Sequence, residues 1–156
     1  MRGLLLYIIL SSSITCFSQQ VNLLTVDQLN QRIANGKDTA YIINFWATWC
    51  APCVAELPHF QRLQQELRNE AARVLLVSVD FRSKLESTVK SFVRRRKLKN
   101  DVFLLNENNQ QEYIDRIDSS WSGTIPATLF VYKDKRRFME KSFTYPELLQ
   151  QYQNLK

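Results

Sequence analysis

The segment Tyr41-Ile42-Ile43-Asn44-Phe45-Trp46-Ala47-Thr48-Trp49-Cys50-Ala51-Pro52-Cys53 decides how the rest of the chain is read. Its first seven residues form a nearly continuous apolar run of strand length, as expected of a strand buried on both faces. From residue 50 to about 69 the period changes, with Leu57, Phe60, Leu63 and Leu67 at helical spacing. Two cysteines three residues apart therefore lie where a buried strand runs into a helix. On a first helical turn such a pair shares one face, with Cβ atoms about 5–6 Å apart. Only a small adjustment then brings the sulfurs to bonding distance. The first cysteine meets unpaired backbone N–H groups and the positive end of the helix dipole, which favour its thiolate, the attacking species. Pro52 is tolerated in a first turn, where its missing N–H would be unpaired anyway, and it stiffens the loop between the sulfurs. Trp49 is expected beside the pair as a partly exposed apolar shoulder.

Two blander readings compete. A purely structural disulfide closing so short a loop would constrain the unfolded chain little. A metal site needs more ligands than one cysteine pair and the single histidine, His59, and no metal is expected.

Working outward, Thr25-Val26-Asp27-Gln28 is a capping box with Leu24 and Leu29 as its hydrophobic staple, opening a helix that ends near Gly36. Val74 to Asp80 reads as a second buried strand. Ser83-Lys84-Leu85-Glu86 is a further capping box, for a helix with Leu85, Val89 and Phe92 on its inner face. A short strand at 102–105 and a helix around 112–117 follow. Residues 127–133 and 138–143 read as paired strands joined through Lys133-Asp134-Lys135-Arg136, and Thr144-Tyr145-Pro146-Glu147 caps a closing helix. Strands alternating with helices predict an α/β fold, a mostly parallel sheet covered on both faces. Its last two strands are too close for a crossover and so antiparallel, which makes the central β-sheet mixed.

The chain has 156 residues, enough for one domain, with 45% hydrophobic and 23% charged residues, which excludes a disordered tail or a rod. Its formal charge of +6 permits contact with anionic surfaces without demanding it. At the N-terminus, Arg2, the apolar run Leu4 to Leu10 and the small residues before Gln19 fit a secretory signal peptide over residues 1–18, leaving a single domain over 19–156. A lipid-modified Cys16 or a retained anchor are the other readings, and membrane association is expected only with one of them. With Cys16 removed, Cys50 and Cys53 remain as the pair.

The stretch Phe45 to Cys53 resembles the active-site segment of the thioredoxin superfamily. The longer pattern Trp49-Cys50-x-Pro52-Cys53-x-x-Glu56-x-Pro58 is similar to the TlpA/ResA branch of exported thiol–disulfide oxidoreductases, and Gly123-Thr124-Ile125-Pro126-Ala127-Thr128 resembles that family's cis-proline loop. The resemblance implies a thioredoxin-like fold, a thiol–disulfide oxidoreductase working as a disulfide reductase on partner proteins in the periplasm or cell envelope, no bound cofactor, and another redox protein to reset the pair. By the same resemblance Cys50 is the exposed nucleophile and Cys53 the buried resolving cysteine. Pro126 is the cis-proline facing them, Ile125 and Trp49 meet the substrate, and Pro58 bends the helix. Asn44 stands where thioredoxin has a buried aspartate that serves proton transfer. Asn cannot act as that base, so Glu56, one turn after Cys53, is the candidate, with a solvated helix charge as its plain alternative. Ala51 replaces the glycine of thioredoxin and does not identify a direction.

Other features carry less. Arg94-Arg95-Arg96-Lys97 ends a helix where cations are favoured, and without interleaved aromatics no nucleic-acid binding is expected. His59 reads as a packing or surface residue, Trp121 as core or site lining, and Asp80 as a turn residue. Against the enzyme stand a non-catalytic binding or chaperone module with a structural disulfide, and a thiol peroxidase, because peroxiredoxins share this fold class.

Overall fold

The structure is a computed structural model and describes residues 20–156, so the signal-peptide expectation and Cys16 lie outside the described residues. Strand β2 (Ala40–Trp46) is buried at all seven positions and forms the centre of a six-stranded sheet. Around it run β1 (Val21–Leu24), β3 (Ala72–Ser78), β4 (Asp101–Leu105), β5 (Ala127–Tyr132) and β6 (Lys135–Met139), in the spatial order β1-β4-β3-β2-β5-β6. The first four strands of that order are parallel, while β5 is antiparallel to β2 and β6 to β5. The predicted mixed α/β sheet is what forms.

Helices cover both faces. Alternate residues of β2 point to opposite sides. Ile42 and Trp46 join one core with Leu57, Phe60 and Leu63 of α2 (Ala51–Glu66), Phe92 of α3 (Lys90–Arg96) and Leu148 of α5 (Tyr145–Leu155). Tyr41, Ile43 and Phe45 join the other, with Leu29 of α1 (Val26–Asn35) and Ile114 of α4 (Gln110–Ile117). The capping box at Thr25 and Gln28 is present. At the start of α5 the Glu147 carboxylate accepts from the Thr144 N–H at 2.8 Å. Gly36 ends α1 by donating to Arg32 O and Ile33 O, and a Cβ there would run into the Tyr41 hydroxyl, so a larger residue must displace that ring.

Three expectations are corrected. The sequence reading began with α1, yet β1 precedes it as a four-residue edge strand, with Val21 beside Val102. Four residues carry too little alternation to register, and β4 alone makes them a strand. Ser83 caps nothing: residues 82–84 form a 3-10 turn, and Leu85–Val89 a single π turn that leads into α3. The extra residue in that turn re-registers the helix, so that Val89, Phe92 and Val93 reach the core while Leu85 is only half-buried. Finally, β6 spans 135–139 rather than 138–143. The hairpin loop is only Lys133-Asp134, with Lys133 in the left-handed region at φ 54°. The cations Lys135, Arg136 and Arg137 therefore lie on the exposed edge strand, where charge discourages pairing with another chain.

Candidate active site

β2 delivers the chain to the site through the turn Ala47-Thr48-Trp49, closed by the Cys50 N–H donating to Ala47 O at 3.1 Å. Cys50 is the N-cap of α2, with extended backbone (φ −87°, ψ 98°), and its Sγ accepts the Cys53 N–H at 3.3 Å. That donor is one of the N–H groups a helix start leaves unpaired, and it is aimed at the sulfur that needs a negative charge. Cys50 and Cys53 are joined as a disulfide, Cα atoms 5.3 Å apart. Ala51 and Pro52 occupy the exposed first turn, and Pro58 lies inside α2, depriving the Val54 carbonyl of its helical donor.

The opposite wall is the loop after Trp121. The Ile125–Pro126 peptide is cis, Pro126 is buried, and Ile125 O lies 3.9 Å from Cys50 Sγ. Gly123 takes φ 91°, which favours glycine at this bend. Exposure corrects the expectation of an open nucleophile. Cys50 is 6% exposed and Cys53 not at all, because the disulfide tucks the first sulfur between the start of α2 and the Ile125 carbonyl. Cys50 is still the one of the two that solvent reaches. Trp49 stands clear beside it at 68% exposed, farther out than a shoulder.

Beneath the pair, Glu56 is almost fully buried on the same face of α2 as Cys53. Its Oε1 accepts from Asn44 Nδ2 at 2.9 Å and its Oε2 from the Phe143 N–H at 2.7 Å. Burial pushes its pKa up from 4.5 to about 7, against the lowering effect of those two hydrogen bonds. The solvated-charge reading of Glu56 fails with its burial. Asn44, also fully buried, ties this carboxylate to β5 by donating to Thr128 Oγ1 at 3.2 Å.

A sequence profile described as the AhpC/TSA family matches residues 18–136. The chain belongs to the AhpC/TSA family. It is 38% identical over 55 residues to the thiol-disulfide oxidoreductase ResA of Oceanobacillus iheyensis, covering 35% of this chain and 29% of that one. To the thiol-disulfide oxidoreductase ResA of Bacillus cereus it is 27% identical over 99 residues, covering 63% and 51%. The aligned segments thus span between 29% and 51% of those relatives' lengths. The crystal structure of the exposed lipoprotein thioredoxin Etrx1 from Streptococcus pneumoniae superposes with a TM-score of 0.62 at 20% identity, over 79% of this chain and 90% of that one. At that identity the likeness establishes the fold, which is thioredoxin-like.

This AhpC/TSA-family chain uses residues that sequence reasoning passed over. Asp80, read above as a turn residue, is buried two residues past β3 and accepts from Thr48 N (2.9 Å), Thr48 Oγ1 (2.7 Å) and Ser78 Oγ (2.7 Å). It clamps the turn that aims Cys50. Its place just past the carboxyl end of a parallel strand, beside the strand that leads into the cysteines, was the available signal. Trp121 serves both suggested roles: it stacks on Phe45 at 4.9 Å between ring centres, donates from Nε1 to Thr124 O at 2.8 Å, and lines a groove. That groove, about 320 Å³, is walled by Trp49, Phe81, Leu105, Tyr113, Trp121 and Ile125. Phe81, 79% exposed, had no sequence signal beyond its position after the strand. His59 sits half-buried on α2.

Proposed function

We propose that this protein is a thiol–disulfide oxidoreductase that reduces disulfides of partner proteins outside the cytoplasm. The observation that carries the reading is Cys50 at the N-cap of α2, disulfide-bonded to Cys53 and receiving its N–H. In the dithiol form the Cys50 thiolate attacks one sulfur of a partner disulfide, forming a mixed disulfide and expelling the other sulfur as thiolate. Cys53 gives its proton to the Glu56 carboxylate and attacks Cys50 Sγ. The Cys50–Cys53 bond forms as the second partner sulfur is expelled as thiolate, and the Glu56 proton with one from solvent completes the partner's dithiol. A second redox protein then supplies two electrons and two protons to restore the pair.

Ile125 and Trp49 flank the reacting sulfur. Pro126 and Pro52 shape its two walls, and Ala51 leaves the first turn low enough for an extended segment to cross. The apolar run Leu4 to Leu10 supports export, as does the likeness in fold to secreted proteins of Mycobacterium tuberculosis and Corynebacterium glutamicum.

The test is trapping with Cys53→Ala in the full chain. The variant should accumulate mixed disulfides through Cys50, and Cys50→Ala should accumulate none. Capture by Cys50→Ala alone reverses the two roles. A potential far below about −300 mV, with Cys50 inert to alkylation at neutral pH, replaces the enzyme by a structural disulfide. Rapid consumption of peroxide makes it a peroxidase.

A further inference from the structure

Arg94, Arg95, Arg96, Lys97 and Lys99 place five cations within six residues at the end of α3 and just beyond it. All five are exposed, and among the described residues none has an ion-pair partner. The nearest carboxylates in the chain are already engaged: Glu86 with Lys90 at 2.6 Å and Asp101 with Arg32 at 3.2 Å. A helix dipole accounts for a cation in the last turn. It does not account for Lys99, which lies past the helix, or for Lys97 at a left-handed C-cap where glycine is the usual residue.

The position of the cluster supplies an independent observation. The chain enters the sheet at Val21, which pairs with Val102, only three residues after Lys99. Neighbouring strands are about 4.8 Å apart, so the polypeptide before β1, with the apolar run Leu4 to Leu10, joins the domain at the corner that carries the cluster. Because β1, β4, β3 and β2 are parallel, Cys50 lies past the opposite end of the sheet. Residues 94–99 include no aromatic side chain to stack on bases. Arg96 lies over the Phe92 ring at 5.5 Å, and long exposed cations without a carboxylate partner among the described residues suit the anionic headgroups of a lipid surface.

We propose that the Arg94–Lys99 corner docks the folded domain on an anionic lipid surface, leaving the Cys50–Cys53 end turned away from it. The attraction is electrostatic, so it is screened over about 10 Å at 0.1 M salt. The test is sedimentation of the full chain with vesicles of phosphatidylcholine alone or mixed with phosphatidylglycerol. Each cation at an anionic surface multiplies binding about fivefold, so the triple variant Arg94→Gln, Arg95→Gln, Arg96→Gln should bind the anionic vesicles about 100-fold more weakly. Its exchange with a small disulfide should be unchanged, and the corresponding triple Lys variant should retain vesicle binding. Equal binding of the natural chain to both kinds of vesicle overturns the proposal. So does undiminished binding by the triple Gln variant. Tighter binding to polyglutamate or to duplex DNA than to anionic vesicles at the same salt also overturns it, in favour of an acidic protein or a nucleic acid.

Discussion

Two buried carboxylates flank the cysteine turn, and they do different work. Asp80, beside the turn, takes three short hydrogen bonds, two of them from Thr48 itself. Glu56, beneath the turn, takes only two, and its burial outweighs them. With more donors than it has oxygens, Asp80 is a fixed anchor for the backbone leading to Cys50. With one donor per oxygen and little water, Glu56 is held near the point where it takes up or gives up a proton at neutral pH. Nearly equal burial therefore does not predict equal function. In the proposed mechanism the number and origin of the donors separates a clamp from a proton carrier.

That contrast is open to attack by substitution. Glu56→Gln should slow attack by Cys53 on a preformed Cys50 mixed disulfide by about 10³-fold, and abolish an inflection near pH 7 in that single-turnover rate. A variant with unchanged rate and inflection removes Glu56 from the mechanism. Stability carries the same signature with a definite sign. The folded pKa of about 7 lies above 4.5, so between those values the native state holds a proton the unfolded chain has lost. Natural protein should lose up to about 3 kcal/mol as pH rises through that window, at about 1.4 kcal/mol per pK unit, and Glu56→Gln should show no such slope in urea unfolding.

Asp80→Ala should instead cost about 3 kcal/mol of stability by stranding the Thr48 and Ser78 donors, while the inflection near pH 7 stays in place. If that inflection moved with Asp80, the division of labour would be wrong. Trp49→Ala, at an exposed position, should raise KM for a protein disulfide about tenfold, as loss of an aromatic anchor does, with stability within about 0.5 kcal/mol. The smallest effect is expected from Asn44→Ala. Loss of its hydrogen bond to Glu56 should move the kinetic inflection upward, read from the same pH series.

Local chemistry makes much of this molecule legible in its sequence alone. The capping boxes at Thr25 and Thr144, the strand before the cysteines and the pairing of Cys50 with Cys53 all depend on residues three or four apart, or on an unbroken apolar run. Such signals survive in a linear reading because the interacting groups are neighbours in the chain. The capping pattern at Ser83 is the instructive exception. The residues were right, but the packing of Val89 and Phe92 called for a π turn, and tertiary contact overrode the local preference.

The chain's own order of residues determined the fold class, the position of the sulfur pair at a helix start and the two prolines that shape it. Folding alone decided how far Cys50 is covered, how far burial raises the pKa of Glu56, and that β1 exists at all. Those outcomes rest on partners far apart in sequence: Phe143 reaches Glu56 across 87 residues, and Val21 is a strand only because Val102 lies beside it. Desolvation and donor count are sums over everything that packs around a group, and no local pattern contains that sum.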